Sequence, residues 1–535
     1  MRMTTSTEAN GRRVFTSGRP DVVVPPLSLP DFLLAAGADR PDHPALVDGT
    51  SGRVLTYRQL TVGVRRVAAG LAARGLRRGD VCALLAPNSP EWLLACYGAM
   101  SAGAVVTGIN PQYTAHEVAG QLRQTGARIV VTAPPFLQTT RAGIAAAGLR
   151  TEIVLIGGDG SEGCVPLDRL LEYQGAAPAV DLDPAVDLAL LPCSSGTSGL
   201  PKSVMLTHRA CVANVLQQRA ALPFRATDRL LGVAPFYHAT GFGVVANGTL
   251  HAGGTVVTMP RFDVEGMLGL IEAHRITATV VVPPIVVALA KHPAVDARDL
   301  SSLRWVACGA APLGGELQQA AARRLGCPVV QGYGMTELTA GIALWSPSIP
   351  VRPGAAGRLL PGVQARVVDP LGGADLGPGE SGELWIRSQA RMAGYRDNPA
   401  ATAETVDADG WVHTGDIGRI DADGALFVLD RIKELIKVKG FQVAPAELEA
   451  VLRAHPGIAD AAVVSMPDER AGERPKAFVV RSREADAQQL EAEQIMAWVT
   501  ERVAPHKRLG AVEFIDAVPT SPAGKTLRRL LAHHG

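Results

Sequence analysis

Ser194-Ser195-Gly196-Thr197-Ser198-Gly199-Leu200-Pro201-Lys202-Ser203 follows the apolar run Leu188-Ala189-Leu190-Leu191-Pro192. Its glycines free the backbone to turn N–H groups toward an anion, its hydroxyls add donors, and Lys202 completes a cradle for a polyphosphate. Plain surface linkers rarely join this density of donors to a lysine immediately after a buried strand. The stretch nearly matches a Walker A loop, but Pro201 stands where GxxxxGK[ST] needs glycine, which disfavours a P-loop NTPase.

Working outward, strands and helices alternate. Tyr57, Leu60, Val64, Val67 and Leu71 recur every three or four positions and share one helical face, and Gly75 stops that helix before Val81-Cys82-Ala83-Leu84-Leu85. Strand-like runs recur at Ile129-Val130-Val131, Ile153-Val154-Leu155-Ile156, Thr279-Val280-Val281-Val282 and Val329-Val330-Gln331, with helical stretches between. This alternation predicts α/β layers with largely parallel sheets. From residue 350 onward, short strand-like pieces are set off by Pro361-Gly362, Gly372-Gly373, Pro378-Gly379 and Asp423-Gly424, which predicts a more antiparallel, β-rich part. Beyond Arg431 a compact mixed segment follows, with an amphipathic helix near 445–454, strands near 461–464 and 476–480, and a helix near 488–503. The expected organisation is a loose leader over 1–28, a large α/β unit of two layered subdomains plus a β-rich subdomain over 29–432, and a small α+β unit over 433–535.

Of the 535 residues, 47% are apolar and 19% charged, a globular composition with length enough for several cores. Basic and acidic side chains nearly cancel, 52 against 51, so no global field favours nucleic acid or an anionic membrane and any anionic ligand must be held locally. The seven cysteines are odd in number and lack CxxC spacing, so a reducing cytoplasm is the economical setting. Residues 1–13 contain no apolar stretch suited to a signal peptide. The charge-free segment between Glu91 and Glu117 carries Gly, Ser, Asn and Pro residues that suit a buried helix, turn and strand better than a membrane span. Only eight of the basic residues are lysine, so positions that keep the compact ammonium stand out: Lys202, the group Lys433, Lys437 and Lys439, and Lys525.

The glycine-rich stretch resembles the phosphate loop of the adenylate-forming superfamily, which includes acyl-CoA synthetases, aryl-CoA ligases, luciferases and adenylation domains. The resemblance continues in order through Pro235-Phe236-Tyr237-His238, Gly309-Ala310-Ala311-Pro312-Leu313, Gly332-Tyr333-Gly334-Met335-Thr336-Glu337 and Trp411-Val412-His413-Thr414-Gly415-Asp416. It ends with the run from Asp430 to Phe441 and with Gly524-Lys525. Gly440-Phe441-Gln442-Val443-Ala444-Pro445 looks most like 4-coumarate and related CoA ligases.

Such a resemblance implies an AMP-forming acyl- or aryl-CoA ligase that uses ATP (or acyl-AMP), Mg2+ and coenzyme A, with a small mobile C-terminal domain. It implies that Lys525 bridges carboxylate and α-phosphate, that Glu337 binds magnesium, and that Thr336 contacts phosphate. The nucleotide set would be Ser194, Ser195, Gly196, Thr197, Ser198, Gly199 and Lys202, the Gly309-Ala310-Ala311 backbone, and Gly332, Tyr333, Gly334 and Met335. Tyr333 would stack on adenine, Asp416 would accept from the ribose hydroxyls, and Arg431 would approach ribose and phosphate. Lys433 falls on the hinge position. Lys437, Lys439 and Gly440 line the expected coenzyme A path, where a side chain at Gly440 would obstruct the tunnel. The acyl pocket is expected from His238, Thr240, Gly241, Phe242, Pro284, Gly309 and Gly334. Thr240 stands where 4-coumarate ligases typically have tyrosine, and with Gly241 and Gly243 it is expected to enlarge the pocket for a bulky apolar acid.

The loop departs from the family at Ser203, where glycine is usual, which puts a Cβ where unusual dihedrals or close approach are normally allowed. A tolerated substitution is the leading expectation. The alternatives are a thioesterifying enzyme that takes a preformed acyl-adenylate from a separate adenylating ligase, an enzyme that loads a carrier protein, and a non-catalytic nucleotide-binding protein. Intact Lys525 and Glu337 argue against the last.

Overall fold

The computed structural model describes residues 4–7, 12–158, 160, 163–194, 202–438, 441–468, 471–482, 489–520 and 526–531. Two nine-stranded sheets carry most of the parallel strands. In the first, Val81–Leu85 lies between Val105–Gly108 and Ile129–Thr132, and Glu152–Leu155 extends the same side, all parallel. Val81–Leu85 is buried at every position, as expected for a strand with both faces covered. The helix Tyr57–Ala73 packs its predicted face inward, with Tyr57, Leu60, Val64, Val67 and Leu71 all buried. Thr56 caps it in a reciprocal box with Gln59, and Gly75 adopts φ 85°, which ends the run. The charge-free segment forms the helix Pro90–Ser101 and the strand Val105–Gly108. Among the described residues no helix is long and apolar enough to cross a membrane.

The second sheet runs in parallel through Pro44–Asp48, Thr255–Thr258, Arg229–Gly232, Ala278–Val281, Trp305–Cys308 and Val329–Gly334. Two antiparallel strands, Gly341–Leu344 and Arg358–Leu359, complete one side. The glycine-rich turns after residue 350 separate strands of a six-stranded antiparallel sheet whose members include Gln364–Val368, Gly382–Arg387, Val412–Ile420 and Leu426–Arg431.

The expectation of a loose leader needs correction. Arg13–Thr16 is a strand of this sheet, paired antiparallel with Gln364–Val368, and Thr4–Thr7 pairs with it in turn. Val14 and Phe15 are buried, so two apolar side chains within polar surroundings suffice to dock the segment. The chain then passes into a separate five-stranded sheet that includes Ile436–Val438, Phe441–Val443, Ile458–Asp468, Gly472–Arg481 and Ala511–Phe514. The helices Pro445–Arg453 and Ala492–Thr500 contribute Leu448, Leu452, Ile495 and Val499 to its core.

Candidate active site

Lys202 opens the strand Lys202–Thr207, which pairs antiparallel with Cys193–Ser194, placing Ser203 opposite Cys193 and Lys202 opposite Ser194. Residues 195–201, with the expected phosphate donors Ser195, Gly196, Thr197, Ser198 and Gly199, lie outside the described residues. At the base of the hairpin the Ser194 hydroxyl oxygen is buried without a hydrogen-bond partner among the described residues, as suits a donor whose acceptor is a ligand. Ser203 is fully buried with Oγ 3.6 Å from Cys193 Sγ, and its carbonyl accepts from Arg396 N at 2.9 Å. Positive φ among described non-glycine residues is confined to Arg275, Ala310, Thr339 and Asp397, so Ser203 holds an ordinary strand conformation.

The next strand over is Gly394–Tyr395, paired antiparallel with Val204 and Met205. Lys202 Nζ sits 4.9 Å from the centre of the Tyr395 ring, and the Tyr395 hydroxyl donates to Glu337 Oε1 at 2.8 Å. Burial, together with the adjacent Glu337 carboxylate, raises the Tyr395 pKa, so the phenol stays a donor. No motif of the sequence pointed to Tyr395, although the chain holds just seven tyrosines and this one directly follows a glycine.

Glu337 belongs to the short 3-10 turn Thr336–Leu338, directly after the strand Val329–Gly334. The turn ends in strain. Thr339 has φ 68° and ψ −50°, and Ala340 N donates to Leu338 O at 2.8 Å, which is a γ-turn in its less favourable form. Thr339 Oγ1 donates to Ala390 O at 2.7 Å and holds it there. The same turn brings the Ala340 carbonyl so close to Gly334 that a Cβ on Gly334 would lie 1.7 Å from it, so glycine is obligatory.

Tyr333 lies at a register shift in the pairing with Gly341–Leu344, and its hydroxyl donates to Asp416 Oδ2 at 2.7 Å. Arg431 Nε donates to Asp416 Oδ1 at 3.2 Å from the cross-strand position. Asp416 is buried, and burial of the Tyr333 ring, with the Asp416 charge beside it, drives the Tyr333 pKa well above its usual value. Gly309 approaches this group: a Cβ there would meet the Gly332 carbonyl at 3.7 Å. Ala310 beside it adopts φ 71°. Residues from four separate motifs thus converge at the ends of strands Trp305–Cys308, Val329–Gly334, Val412–Ile420 and Leu426–Arg431.

A narrow, mainly apolar cavity of about 30 Å3, measured for water-sized occupants, lies beside His238. Trp92, Phe236, Tyr237, Phe242 and Gly243 line it with His238. Its wall includes part of a π-helix, Thr240–Asn247, a geometry that recurs at functional sites. Thr240, Gly241, Pro284, Gly309 and Gly334 are not among its lining residues. The expectation that Gly241 enlarges the pocket is corrected by packing: a Cβ there would lie 2.2 Å from the Pro235 carbonyl and 2.4 Å from that of Ala234. Gly241 therefore permits a close backbone crossing, and the glycines that line the cavity are Gly108 and Gly243.

Lys433 lies in the 3-10 turn Ile432–Glu434, between the six-stranded and five-stranded sheets, and Lys437 is exposed on Ile436–Val438. Lys439, Gly440 and Lys525 lie outside the described residues. Near Lys433, Arg528 donates to Glu449 Oε1 at 2.8 Å and pairs with Glu434. Asp430 accepts from Ala446 N at 2.9 Å, and burial lifts its pKa to about 6.

A model of the AMP-binding enzyme family matches residues 33–396, and one of the AMP-binding enzyme C-terminal domain matches residues 447–525. A 4-coumarate–CoA ligase of Oryza sativa subsp. japonica is 43% identical over 527 residues, 96% of either chain. One from Solanum tuberosum is 41% identical over 541 residues, 99% of this chain and 98% of its own. Among solved structures, the anthranilate CoA ligase AuaEII in complex with anthranoyl-AMP matches with a TM-score of 0.87 at 27% identity, over 96% of this chain and 98% of that one. ATP-bound MatB from Rhodopseudomonas palustris matches with a TM-score of 0.85 at 30% identity, over 95% and 99%.

Proposed function

Because this chain belongs to the AMP-binding enzyme family, as an AMP-forming acid–thiol ligase, we propose that it activates a bulky hydrophobic carboxylic acid as the acyl-adenylate and passes the acyl group to coenzyme A. The observation that carries this reading is the Asp416 carboxylate, which draws Tyr333 and Arg431 from separate motifs into one hydrogen-bonded group. A buried carboxylate already oriented by two donors is suited to bind the ribose hydroxyls, with the half-buried Tyr333 ring beside it to pack on the adenine.

In the first half-reaction a substrate carboxylate oxygen attacks the α-phosphorus of ATP, and the bond to pyrophosphate breaks. Two anions must approach, so the site has to supply positive charge and donors. Lys202 and the Ser194 hydroxyl serve the phosphates, Arg431 approaches the ribose and α-phosphate, and Lys525 is assigned to the reacting oxygens. Glu337 supplies a buried carboxylate, and among the described residues no cluster of three His, Cys, Asp or Glu side chains could hold a metal alone. That donor set fits Mg2+, which binds through one or two carboxylates together with phosphates and waters. When bound, Mg2+ neutralises phosphate charge.

In the second half-reaction the coenzyme A sulfur attacks the acyl carbon, the bond to AMP breaks, and the thiol proton passes to solvent. Lys525 must withdraw to admit the thiol. We place the boundary between the two moving units at 432/433, with Lys433 as the hinge, because the chain there leaves one sheet and enters another. Residues 29–432 then form the nucleotide- and acyl-binding unit, and Lys437, Lys439 and Gly440 border the path of coenzyme A. The ordinary conformation of Ser203 favours a complete ligase over one confined to preformed adenylates.

The aromatic, apolar lining of the cavity supports a hydrophobic acid, and the bulky acid is proposed from Thr240, which stands where 4-coumarate ligases typically have tyrosine. The test is mass spectrometry of acyl-CoA formed from a panel of hydrophobic acids with ATP, each beside its synthetic adenylate. Larger acids are expected to give product by both routes, and Thr240→Tyr is expected to lower kcat/KM for them at least tenfold while sparing 4-coumarate. A strong preference of the wild type for 4-coumarate over larger acids would overturn the bulky-acid reading.

A further inference from the structure

We propose that Tyr395 is a positioning residue that joins the phosphate-loop lysine to the metal-binding carboxylate, so that the nucleotide and its divalent cation bind as one unit. Tyr395 has this role only if Lys202 and Glu337 bind the nucleotide and cation, as proposed above.

The backbone around Tyr395 is stitched to both partners. Arg396 N donates to Ser203 O at 2.9 Å and Ala393 N to Met205 O at 2.8 Å, which fixes the segment to the strand that Lys202 opens. Met392 N donates to Glu337 O at 2.8 Å, which fixes the same segment to the turn that bears the carboxylate. Tyr395 N itself donates to Thr402 Oγ1 at 2.9 Å, and the side chain is 6% exposed. The ring therefore has little freedom, and its two ends are committed to different groups. Its face lies 4.9 Å from Lys202 Nζ, within range of a cation–π contact that steadies the ammonium without neutralising it. Its hydroxyl holds Glu337 Oε1 at 2.8 Å and so fixes the rotation of the carboxylate, as outer partners of metal ligands do. A charged partner for Lys202 would compete with phosphate, and a basic partner for Glu337 would compete with the cation. An aromatic ring with one hydroxyl orients both and competes with neither.

The experiment is calorimetric titration of the full chain with ATP at a series of Mg2+ concentrations, beside thermal melting, for wild type, Tyr395→Phe and Tyr395→Leu. Loss of an outer partner typically weakens metal binding about 10- to 100-fold, so Y395F is expected to raise the Mg2+ concentration for half-maximal ATP binding about tenfold or more. Its ATP affinity at saturating Mg2+ and its melting temperature are expected to stay near wild type, because the ring remains under Lys202. Y395L removes the ring as well and is expected to lose a further two- to fivefold, roughly, in ATP affinity at saturating Mg2+. A Y395F protein with unshifted Mg2+ dependence, or one weakened equally at every Mg2+ concentration, overturns the proposal. Should Y395F not fold, Y395L, which also lacks the hydroxyl, is expected to show the same shift of about tenfold in Mg2+ dependence, and an unshifted dependence there overturns the proposal as well. A wild-type protein that binds no ATP at any Mg2+ concentration overturns the reading of the whole site, whereas Mg2+-dependent wild-type binding with an unshifted Y395F overturns the role of Tyr395 alone.

Discussion

Ser203 shows how a residue can depart from its family's pattern without departing from its geometry. Its Cβ occupies an ordinary strand conformation and its hydroxyl meets the Cys193 sulfur, so the space is already organised around serine. Ser203→Gly is therefore expected to leave pyrophosphate release unchanged and to destabilise the strand by about 0.5–1 kcal/mol, measured by denaturant unfolding. A rise in pyrophosphate release would instead reveal a loop defect. Lys202, Glu337, Tyr333, Asp416 and Arg431 could be picked out of the sequence because each sits in a contiguous run with a recognisable order. Tyr395 could not, because its hydrogen bond to Glu337 spans 58 residues and no spacing rule connects them. The strain at Thr339 was equally hidden, since a threonine in a left-handed turn is set by tertiary contacts, here with Ala390.

At the scale of elements, the parallel strands were legible because burial on both faces leaves runs such as Val81–Leu85 with no polar position. Arg13–Thr16 was not, since a four-residue strand with two buried side chains has too little pattern to read. The docking of the helix Leu29–Ala35 raises a further expectation. Its Leu29 N–H donates to Nδ1 of His208, the first residue of the helix His208–Arg219, and His208 is fully buried. Burial lowers the His208 pKa to about 4, against the opposing pull of Asp187 and Asp31. A folded-state pKa below the unfolded value means that the neutral ring's contribution is complete above pH 6.5 and is lost as pH falls toward 4. The loss is about 3 kcal/mol over that window. Thermal midpoints of wild type and His208→Asn across this range check it: the variant is expected to show the flatter profile, and parallel curves would refute the assignment.

At the scale of the molecule, the change from parallel layers to antiparallel strands and then to a separate small sheet followed from turn spacing and helix periodicity alone. The contacts that bind the small sheet's last segment did not, because they are made by side chains far apart in sequence. Arg528 faces Glu449, which is 3% exposed, and Glu434 beside the proposed hinge. Arg528→Ala removes the cation from a buried carboxylate and is expected to destabilise the small unit by about 3 kcal/mol. Hydrogen exchange should then quicken in Ile458–Asp468 and Gly472–Arg481 and remain unchanged in the parallel sheets; uniform quickening would show that the two parts unfold together. The pairing of Val204 with Tyr395 has a consequence for the order of biosynthesis. The strand that follows the phosphate loop waits for a partner made about 190 residues later, roughly 10 to 40 s at ordinary rates of translation. Until then a nascent chain can pair the parallel strands of its first sheet but cannot seat Lys202 on its ring, so nucleotide capture by the growing polypeptide should begin only after residue 395 has left the ribosome.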